Sequence, residues 1–206
     1  MALAYGALIL AMLISSGNFL FGNLAVDEIS PAVLTFWRTF IAMICLVPYV
    51  VKSGGVHFGF LTEDRNFLKY IVLTATGVVI CPWLLYIALI SDQLIELGVG
   101  YSSMTLITIL FSALILHERL NWIQYIGIVT TMIGALIFVF DGSFANLMSF
   151  KIETAFLIMI ASVSFRALYL VLLKKWAIRP KPSEGLFALF VIGTLMLSPM
   201  FIMDTM

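Results

Sequence analysis

Seven long runs of apolar residues with almost no charge constrain this sequence more than any other feature. An α-helix needs about 20 predominantly apolar residues to cross the ~30 Å hydrocarbon core of a bilayer. The runs that meet this requirement are 2–26, 29–51, 70–91, 97–116, 120–140, 154–173 and 185–203. Membrane barrels instead show alternating segments of about ten residues. The sequence therefore predicts an all-α, polytopic membrane protein with seven transmembrane helices.

Composition agrees with a membrane protein and excludes several other classes. Hydrophobic residues make up 63% of the chain and charged residues 11%, against about 25% charged residues in soluble domains. The 11 basic and 11 acidic residues cancel, so no basic excess indicates binding to nucleic acid. Cys45 and Cys81 lie in apolar runs without a neighbouring ligand. We expect no metal site, no disulfide and no cofactor.

The first run does not have the pattern of a cleaved signal peptide. It has no basic region before its apolar residues, it is long, and it contains Asn18 and Asn23 but no Ala-x-Ala cleavage site. We expect it to be retained as the first transmembrane helix.

Lysine and arginine predict the orientation of the helices, because cytoplasmic loops retain these residues in excess. One of them, Lys151, falls on the side opposite the N-terminus. Eight fall on the N-terminal side: Lys52, Arg65, Lys69, Arg119, Lys174, Lys175, Arg179 and Lys181. The N-terminus is therefore predicted to be cytoplasmic and the C-terminus external, in a plasma membrane, or in the inner membrane of a Gram-negative bacterium.

A weak internal repeat relates the two ends of the chain. The string SGNF at 16–19 matches SVSF at 162–165, and LVP at 46–48 matches LSP at 197–199. Five helices separate the two starts, so the second copy would run in the opposite direction, as in the inverted repeats of many secondary transporters. The predicted organisation is a five-helix repeat at 1–141 and two helices of an inverted second repeat at 152–206.

Three groups of residues resemble one transporter family. They are ISPA at 29–32 with FWR at 36–38 and LVP at 46–48; YIAL at 86–89 with HERL at 117–120, then Gln124, Gly127 and Gly134; and 162–175 with Pro199. In order and spacing they resemble the EamA family of the drug/metabolite transporter superfamily. The resemblance implies a ten-helix transporter of two inverted five-helix halves with a central substrate cavity.

The sequence departs from that family in two ways. The second half would have only two of its five helices, so the resemblance implies a second copy or a complementing chain as partner. The family usually has a proline in its fourth helix, near Met104 and Thr105, and this chain has none there. The resemblance therefore predicts no proline bend in the fourth helix of this chain.

Two arginines lie inside the predicted spans, where a charge is costly unless it faces protein or water. Arg38 lies a few turns inside the outer end of the second helix, so anchoring at the membrane interface competes with a functional role. Arg166 lies about 18 Å along its helix at ~1.5 Å per residue, near the bilayer midplane. It is a candidate for pairing with an anionic group of a substrate, and an inter-helix tether is the alternative. No acidic residue lies inside a predicted span.

Four further residues complete the predicted substrate site. Asn18 places an amide in the middle of the first helix, where it either lines a cavity or bonds a neighbouring helix. The others, Trp83, Tyr86 and Tyr101, lie on helices that line the cavity in the EamA family. For Tyr86 and Tyr101, an aromatic belt at the membrane surface is an equal interpretation.

Other polar and small residues have structural interpretations. Glu118 and Arg119 are expected to cap or connect helices at a cytoplasmic turn. Gly127, Thr131 and Gly134 form a small-residue helix face suited to packing. Pro82 is expected to kink the third helix.

Enzyme functions fail on geometry. His117-Glu118 would need a histidine at position 121 to form the zinc-binding helix motif, and that residue is Asn121. Gly100-Tyr101-Ser102 is a pattern seen in intramembrane serine proteases, in which a histidine would act as the base for the serine. His117 lies about 22 Å along its helix from Ser102, too far to act as that base. The leading hypothesis is a secondary, alternating-access transporter of a small polar metabolite, such as an amino acid. The alternative is a membrane interaction subunit or degenerate fragment that carries no substrate.

Overall fold

The computed structural model describes residues 2–52, 66–91, 94–139, 154–176 and 182–205, and these residues form seven helices without a strand. The helices are α1 (Ala2–Val26), α2 (Pro31–Lys52), α3 (Asn66–Leu89), α4 (Leu94–Ser102 and Met104–Leu116), α5 (Trp122–Val139), α6 (Thr154–Trp176) and α7 (Pro182–Thr205).

Most of these helices have the length and apolarity of a membrane span. Five qualify: α2, α3, α4 over Leu97–Leu116, α6, and α7 over Ser183–Asp204. Within α5, Trp122–Ala135 is a shorter apolar helix, and α1 has 25 residues without a charge. Large apolar side chains such as Leu13 and Ile123 are exposed, as expected where helices face lipid. The predicted fold class, an all-α polytopic membrane protein, is confirmed.

Contacts near the helix termini define two ends of the bundle. At the first, the Asn23 amide donates to the Leu89 carbonyl over 3.1 Å and the Ser30 hydroxyl donates to Asp204. We call this the Ser30 end: α2, α4 and α6 begin there, and α1, α3 and α7 terminate there. At the opposite, Lys174 end, Lys174 on α6 pairs with Glu118, which follows α4.

The helices pack in two groups. Helix α6 lies against α3 and both segments of α4, and α2 lies against α7. In the second group Phe36 stacks on Phe201 with ring centroids 4.4 Å apart. A Cβ added to Gly193 would lie 2.8 Å from Val78 and 3.3 Å from Thr39, so the absent side chain is what lets α7 approach α2 and α3 closely.

Helix α4 is interrupted even though it lacks the family's proline. Ser103 separates its two segments, and the Ser103 amide bonds the Gly100 carbonyl over 3.2 Å, a three-residue spacing that tightens the backbone. An interruption therefore occurs without a proline, next to Met104 and Thr105, where the family usually has one.

The prediction that no acidic residue lies inside a span is wrong for Glu184 and Asp204, because the apolar helix extends over Ser183–Asp204. Helix α7 begins at Pro182, before the apolar run itself, and Glu184 lies in its first turn with 6% of its surface exposed. Proline suits the first helical position, and an acidic residue near a helix N-terminus favours the helix dipole. The predicted apolar run began at residue 185, after the charged Glu184, and so did not include this turn.

Several residues used for the predicted orientation and domain boundaries lie outside the described residues. They are Arg65, Asp141, Lys151, Arg179 and Lys181. The orientation and the repeat organisation stay predictions.

Candidate functional site

A cavity of about 770 Å³ lies among α1, α2, α3, α4 and α6. Its volume is within the range of ~300–1,000 Å³ typical of small-molecule sites. Its described lining residues are Ile14, Ser16, Asn18, Phe19, Leu20, Arg38, Gly77, Cys81, Pro82, Leu85, Leu94, Gly98, Tyr101 and Arg166. Three of the five predicted site residues, Asn18, Tyr101 and Arg166, are thus brought to one cavity.

The cavity occupies the half of the bundle toward the Ser30 end. No described lining residue precedes Gly77 on α3 or follows Tyr101 on α4 or Arg166 on α6. At ~1.5 Å per residue, Gly77 and Arg166 each lie 12 residues, about 18 Å, from the Ser30 end of their helices, and Tyr101 lies 7 residues, about 10 Å, from the start of α4. Arg166, 12 residues into the 23-residue α6, therefore marks the floor of the cavity near the middle of the bundle.

The wall supplied by α3 is shaped by a π-helical segment, Ala75–Ile80, directly before Cys81 and Pro82. In a π-helix the carbonyl of residue i accepts from the amide of i+5. For Gly77 that donor would belong to Pro82, which has no N–H. The kink predicted at Pro82 stays a prediction, and the π segment before Pro82 makes the Gly77 carbonyl available to a side chain.

Arg166 contacts that carbonyl. Its Nη1 donates to Gly77 O over 3.4 Å, and its guanidinium carbon lies 5.4 Å from the centroid of the Tyr169 ring. A Cβ on Gly77 would lie 2.5 Å from the Tyr169 ring. The absence of a side chain at Gly77 thus lets α3 and α6 approach and leaves Arg166 on the cavity floor.

A buried hydrogen bond holds α3 and α6 together just above that floor. The Ser162 hydroxyl donates to the Cys81 carbonyl over 2.7 Å, and Ser162 has no exposed surface. This contact fixes the rotation of α6 beside the cavity.

Asn18 and Tyr86 are joined by a hydrogen bond, in which the Tyr86 hydroxyl donates to Asn18 Oδ1 over 3.4 Å. Tyr86 itself is 3% exposed and belongs to the core cluster with Leu89, Leu97 and Met159, so it faces protein. Tyr86 is not among the described lining residues, and its hydrogen bond orients the Asn18 amide that faces the cavity.

Tyr101 and Phe19 form an aromatic section of the wall. Their ring centroids are 5.0 Å apart with an interplanar angle of 79°, an edge-to-face geometry. Tyr101 packs against the core cluster and faces the cavity. Trp83 is half-buried and is not among the described lining residues.

Sequence reasoning did not include Arg38 and Phe19 among the site residues. Arg38 lines the cavity on α2, although anchoring at the membrane interface was the favoured interpretation of its position. Its charge inside a span was a usable signal. Phe19 carried none, because one aromatic residue in an apolar helix is indistinguishable from a packing residue.

The described cavity lining contains two cations and no carboxylate. The ion pair Lys174–Glu118 lies at the other end of the bundle. No three described His, Cys, Asp or Glu side chains gather at metal-binding distance. The arrangement is suited to binding a ligand by hydrogen-bond donation and positive charge.

The Lys174 end has a different character. Tyr70, Leu73, Tyr169, Ala188 and Leu189 form a buried cluster of α3, α6 and α7. Beyond it, Lys174 Nζ lies 2.5 Å from Glu118 Oε1, and the Ser112 hydroxyl donates to Glu118 Oε2 over 2.5 Å. These hydrogen bonds lower the pKa of Glu118, the Lys174 bond most. Glu118 connects the α4–α5 turn to α6, as expected for a structural residue.

Comparison with known proteins supports the resemblance noted in the sequence. Residues 2–140 match the model of the EamA-like transporter family. No curated protein and no solved structure matches the chain significantly.

Proposed function

Because the chain belongs to the EamA-like transporter family, we propose that it is a secondary transporter that moves a small polar metabolite, such as an amino acid, across the plasma membrane by alternating access. The observation that carries this proposal is the 770 Å³ cavity, which combines Asn18, Tyr101 and Arg166 inside a bundle of apolar helices. A transport site needs such polar groups near the bilayer midplane.

Alternating access requires a site that reaches one side of the membrane at a time. The cavity lies toward the Ser30 end, and packed aromatic and aliphatic side chains lie between it and the Lys174 end. If the N-terminus is cytoplasmic, as the basic residues predict, the Ser30 end is external. The described arrangement then corresponds to a state closed toward the cytoplasm.

The substrate roles proposed for the five site residues differ. Asn18, Tyr101 and Arg166 would contact the substrate, whereas Tyr86 would orient Asn18. Trp83 would contribute only if the α3 wall moves during the cycle, since it lies outside the described lining.

Transport in proteoliposomes tests this proposal. Purified chain would be reconstituted and loaded with a panel of unlabelled amino acids and related polar metabolites, and exchange against the labelled compounds would be measured. We expect exchange for at least one compound, with a large loss in Arg166→Gln and Asn18→Ala. Arg119→Gln, a charge change away from the cavity, is the matched control. Equal exchange by wild type and Arg166→Gln, or none from any compound, would reject the proposal.

The surface of α5 favours a second candidate, a membrane interaction subunit. This helix packs chiefly against Leu94–Ser102, and its small-residue positions Gly127, Thr131 and Gly134 are all exposed. A second copy or a chain that supplies further helices could pack there. Under this candidate, Arg166→Gln and Asn18→Ala would change folding alone. Disulfide cross-linking of Gly134→Cys would detect a second copy at this surface.

A further inference from the structure

We propose that the cavity selects anions and binds an organic carboxylate with a flat apolar body, whose carboxylate is held by Arg38 and Arg166. This inference names the substrate class of the proposed transport site, and rests on the proposed function only in taking the cavity as that site. It follows from the charge, the donor groups and the apolar wall of the cavity.

The first step is the charge balance of the cavity. Arg38 and Arg166 both line it, and its described lining has no acidic residue. Neither arginine forms an ion pair within the described residues. A cleft lined by one sign of charge between low-dielectric walls concentrates ions of the opposite sign. The cavity therefore has a positive potential that a bound anion would compensate.

The second step is the kind of polar atom that the wall presents. A guanidinium offers N–H donors in a planar fork that matches a carboxylate. Arg166 uses one Nη1–H on Gly77 O over 3.4 Å, which leaves its other N–H groups for a ligand. The Tyr86 hydroxyl occupies Asn18 Oδ1, so the Asn18 amide offers its Nδ2–H donors. These groups together favour an acceptor-only ligand head.

The third step is the apolar part of the wall. Phe19 and Tyr101 meet edge to face, and Pro82, Leu85 and Leu94 extend the same lining. Aromatic rings favour offset or edge contacts with another flat ring. Inorganic phosphate or chloride would leave this surface without a partner. An aromatic or similarly flat carboxylate would contact both the donors and the rings.

The charge of the cavity is measurable without transport. Gly98 lines the cavity, and a Cβ there meets nothing within 4 Å, so Gly98→Cys places a thiol in open space. The background would be Cys45→Ser with Cys81→Ala, in nanodiscs. The thiol would be modified with anionic sulfonatoethyl methanethiosulfonate and, separately, with the cationic trimethylammonioethyl reagent. Each rate is divided by the rate of the neutral methyl reagent, and these two ratios report the local electrostatic potential.

We expect the anionic-to-neutral rate ratio to exceed the cationic-to-neutral rate ratio. The anionic-to-neutral ratio should fall about tenfold for each of Arg38→Gln and Arg166→Gln. Arg119→Gln, at the Lys174 end, should leave the ratio unchanged. Arg166→Lys separates charge from geometry, because it should keep the anionic preference. A ratio near one, or a ratio that neither glutamine variant changes, would overturn the inference.

The ligand class is tested with probes of one size and different charge. Benzoate, benzyl alcohol and benzylamine would be compared for protection of Gly98→Cys against the neutral reagent, with inorganic phosphate as the non-aromatic anion. We expect benzoate to protect best and Arg166→Lys to reduce that protection, since ammonium lacks the planar fork. Equal protection by benzylamine would overturn anion selectivity, and equal protection by phosphate would overturn the carboxylate assignment.

These outcomes are independent of the transport assay. A cavity with the expected charge and benzoate protection in a chain without transport would retain this inference and reject the proposed function. Transport of a neutral metabolite by a chain whose cavity shows no anionic preference would retain the proposed function and reject this inference.

Discussion

Helices α3 and α6 line a cavity at one end of the bundle and form a packed cluster at the other. Toward the Ser30 end, α1, α2, α3, α4 and α6 surround a space of about 770 Å³ with two arginines on its wall. Toward the Lys174 end, α3, α6 and α7 close on Tyr70, Leu73 and Tyr169, and a smaller pocket of about 340 Å³ lies beside the α4–α5 turn. The two arginines inside the spans thus line the 770 Å³ cavity and do not lie in the packed interface of α3, α6 and α7. Because a charge in the hydrocarbon region is costly unless it faces protein or water, this placement makes Arg38 and Arg166 tolerable.

The change from open to packed occurs within one turn of α6. Arg166 lines the cavity, whereas Tyr169 is 9% exposed and belongs to the packed cluster. The two side chains contact each other, and Gly77 lies opposite both. This turn is therefore the boundary between the two ends, and substitutions on either side of it should behave differently.

The largest expected effect is the loss of packing at the Lys174 end. Leu73 has no exposed surface, so Leu73→Ala leaves a void among α3, α6 and α7. We expect it to cost about 3 kcal/mol. Leu94→Ala, on the cavity wall and packed on one side against the buried cluster with Leu97, mainly enlarges an existing space and should cost less than half of that. Unfolding by sodium dodecyl sulfate titration would compare them, and equal costs would contradict the distinction between the ends.

A smaller effect is expected from a methyl group at the boundary itself. Gly77→Ala would place a Cβ 2.5 Å from the Tyr169 ring, and overpacking of this kind costs about 1–3 kcal/mol. Gly98→Ala meets nothing within 4 Å and should be neutral or stabilising by up to ~1 kcal/mol, as alanine favours helix. The same titration measures both. If Gly77→Ala were as stable as Gly98→Ala, α3 and α6 would not be in close contact there.

The architecture was predictable from the sequence because hydrocarbon thickness sets helix length. The seven apolar runs correspond to the seven helices, and the charges inside those runs, Arg38 and Arg166, both line the cavity. Family resemblance added Tyr101, and a polar break in an apolar helix indicated Asn18. These signals depend on local sequence, which is why they were visible without a structure.

The remaining features depend on contacts between distant segments. Nothing local indicates that Gly77 meets Tyr169 or that Phe19 meets Tyr101, since each is an ordinary residue of its own helix. The placement of Trp83 outside the described lining depends on the rotation of α3, which the π segment changes. Helix rotation is fixed by packing, so periodicity alone could not supply it.

A still smaller effect is expected from the hydrogen bond that joins α3 to α6 above the boundary. Ser162→Ala removes the donor to the Cys81 carbonyl, and such inter-helix bonds in membranes average about 0.6 kcal/mol. Ser164→Ala is the matched control, because its hydroxyl bonds the Ile160 carbonyl of its own helix. We expect a measurable loss of stability only in the first variant. Equal effects would mean that the Ser162 bond adds nothing to helix association.

The smallest effect is a pH dependence confined to the Lys174 end. Hydrogen bonds from Lys174 and Ser112 lower the pKa of Glu118 from its ordinary value of 4.5. A carboxylate with a lowered pKa contributes stability that is present above 4.5 and is lost as the pH falls through the lowered value. Because the Lys174 and Glu118 side chains are 64% and 43% exposed, solvent screens the pair and the contribution is small. Comparing the thermal midpoints of wild type and Glu118→Gln from pH 7 to pH 3 isolates it from other carboxylates. The difference should be constant near neutral pH and shrink below pH 4.5, and a constant difference throughout would show that the pair does not stabilise this end.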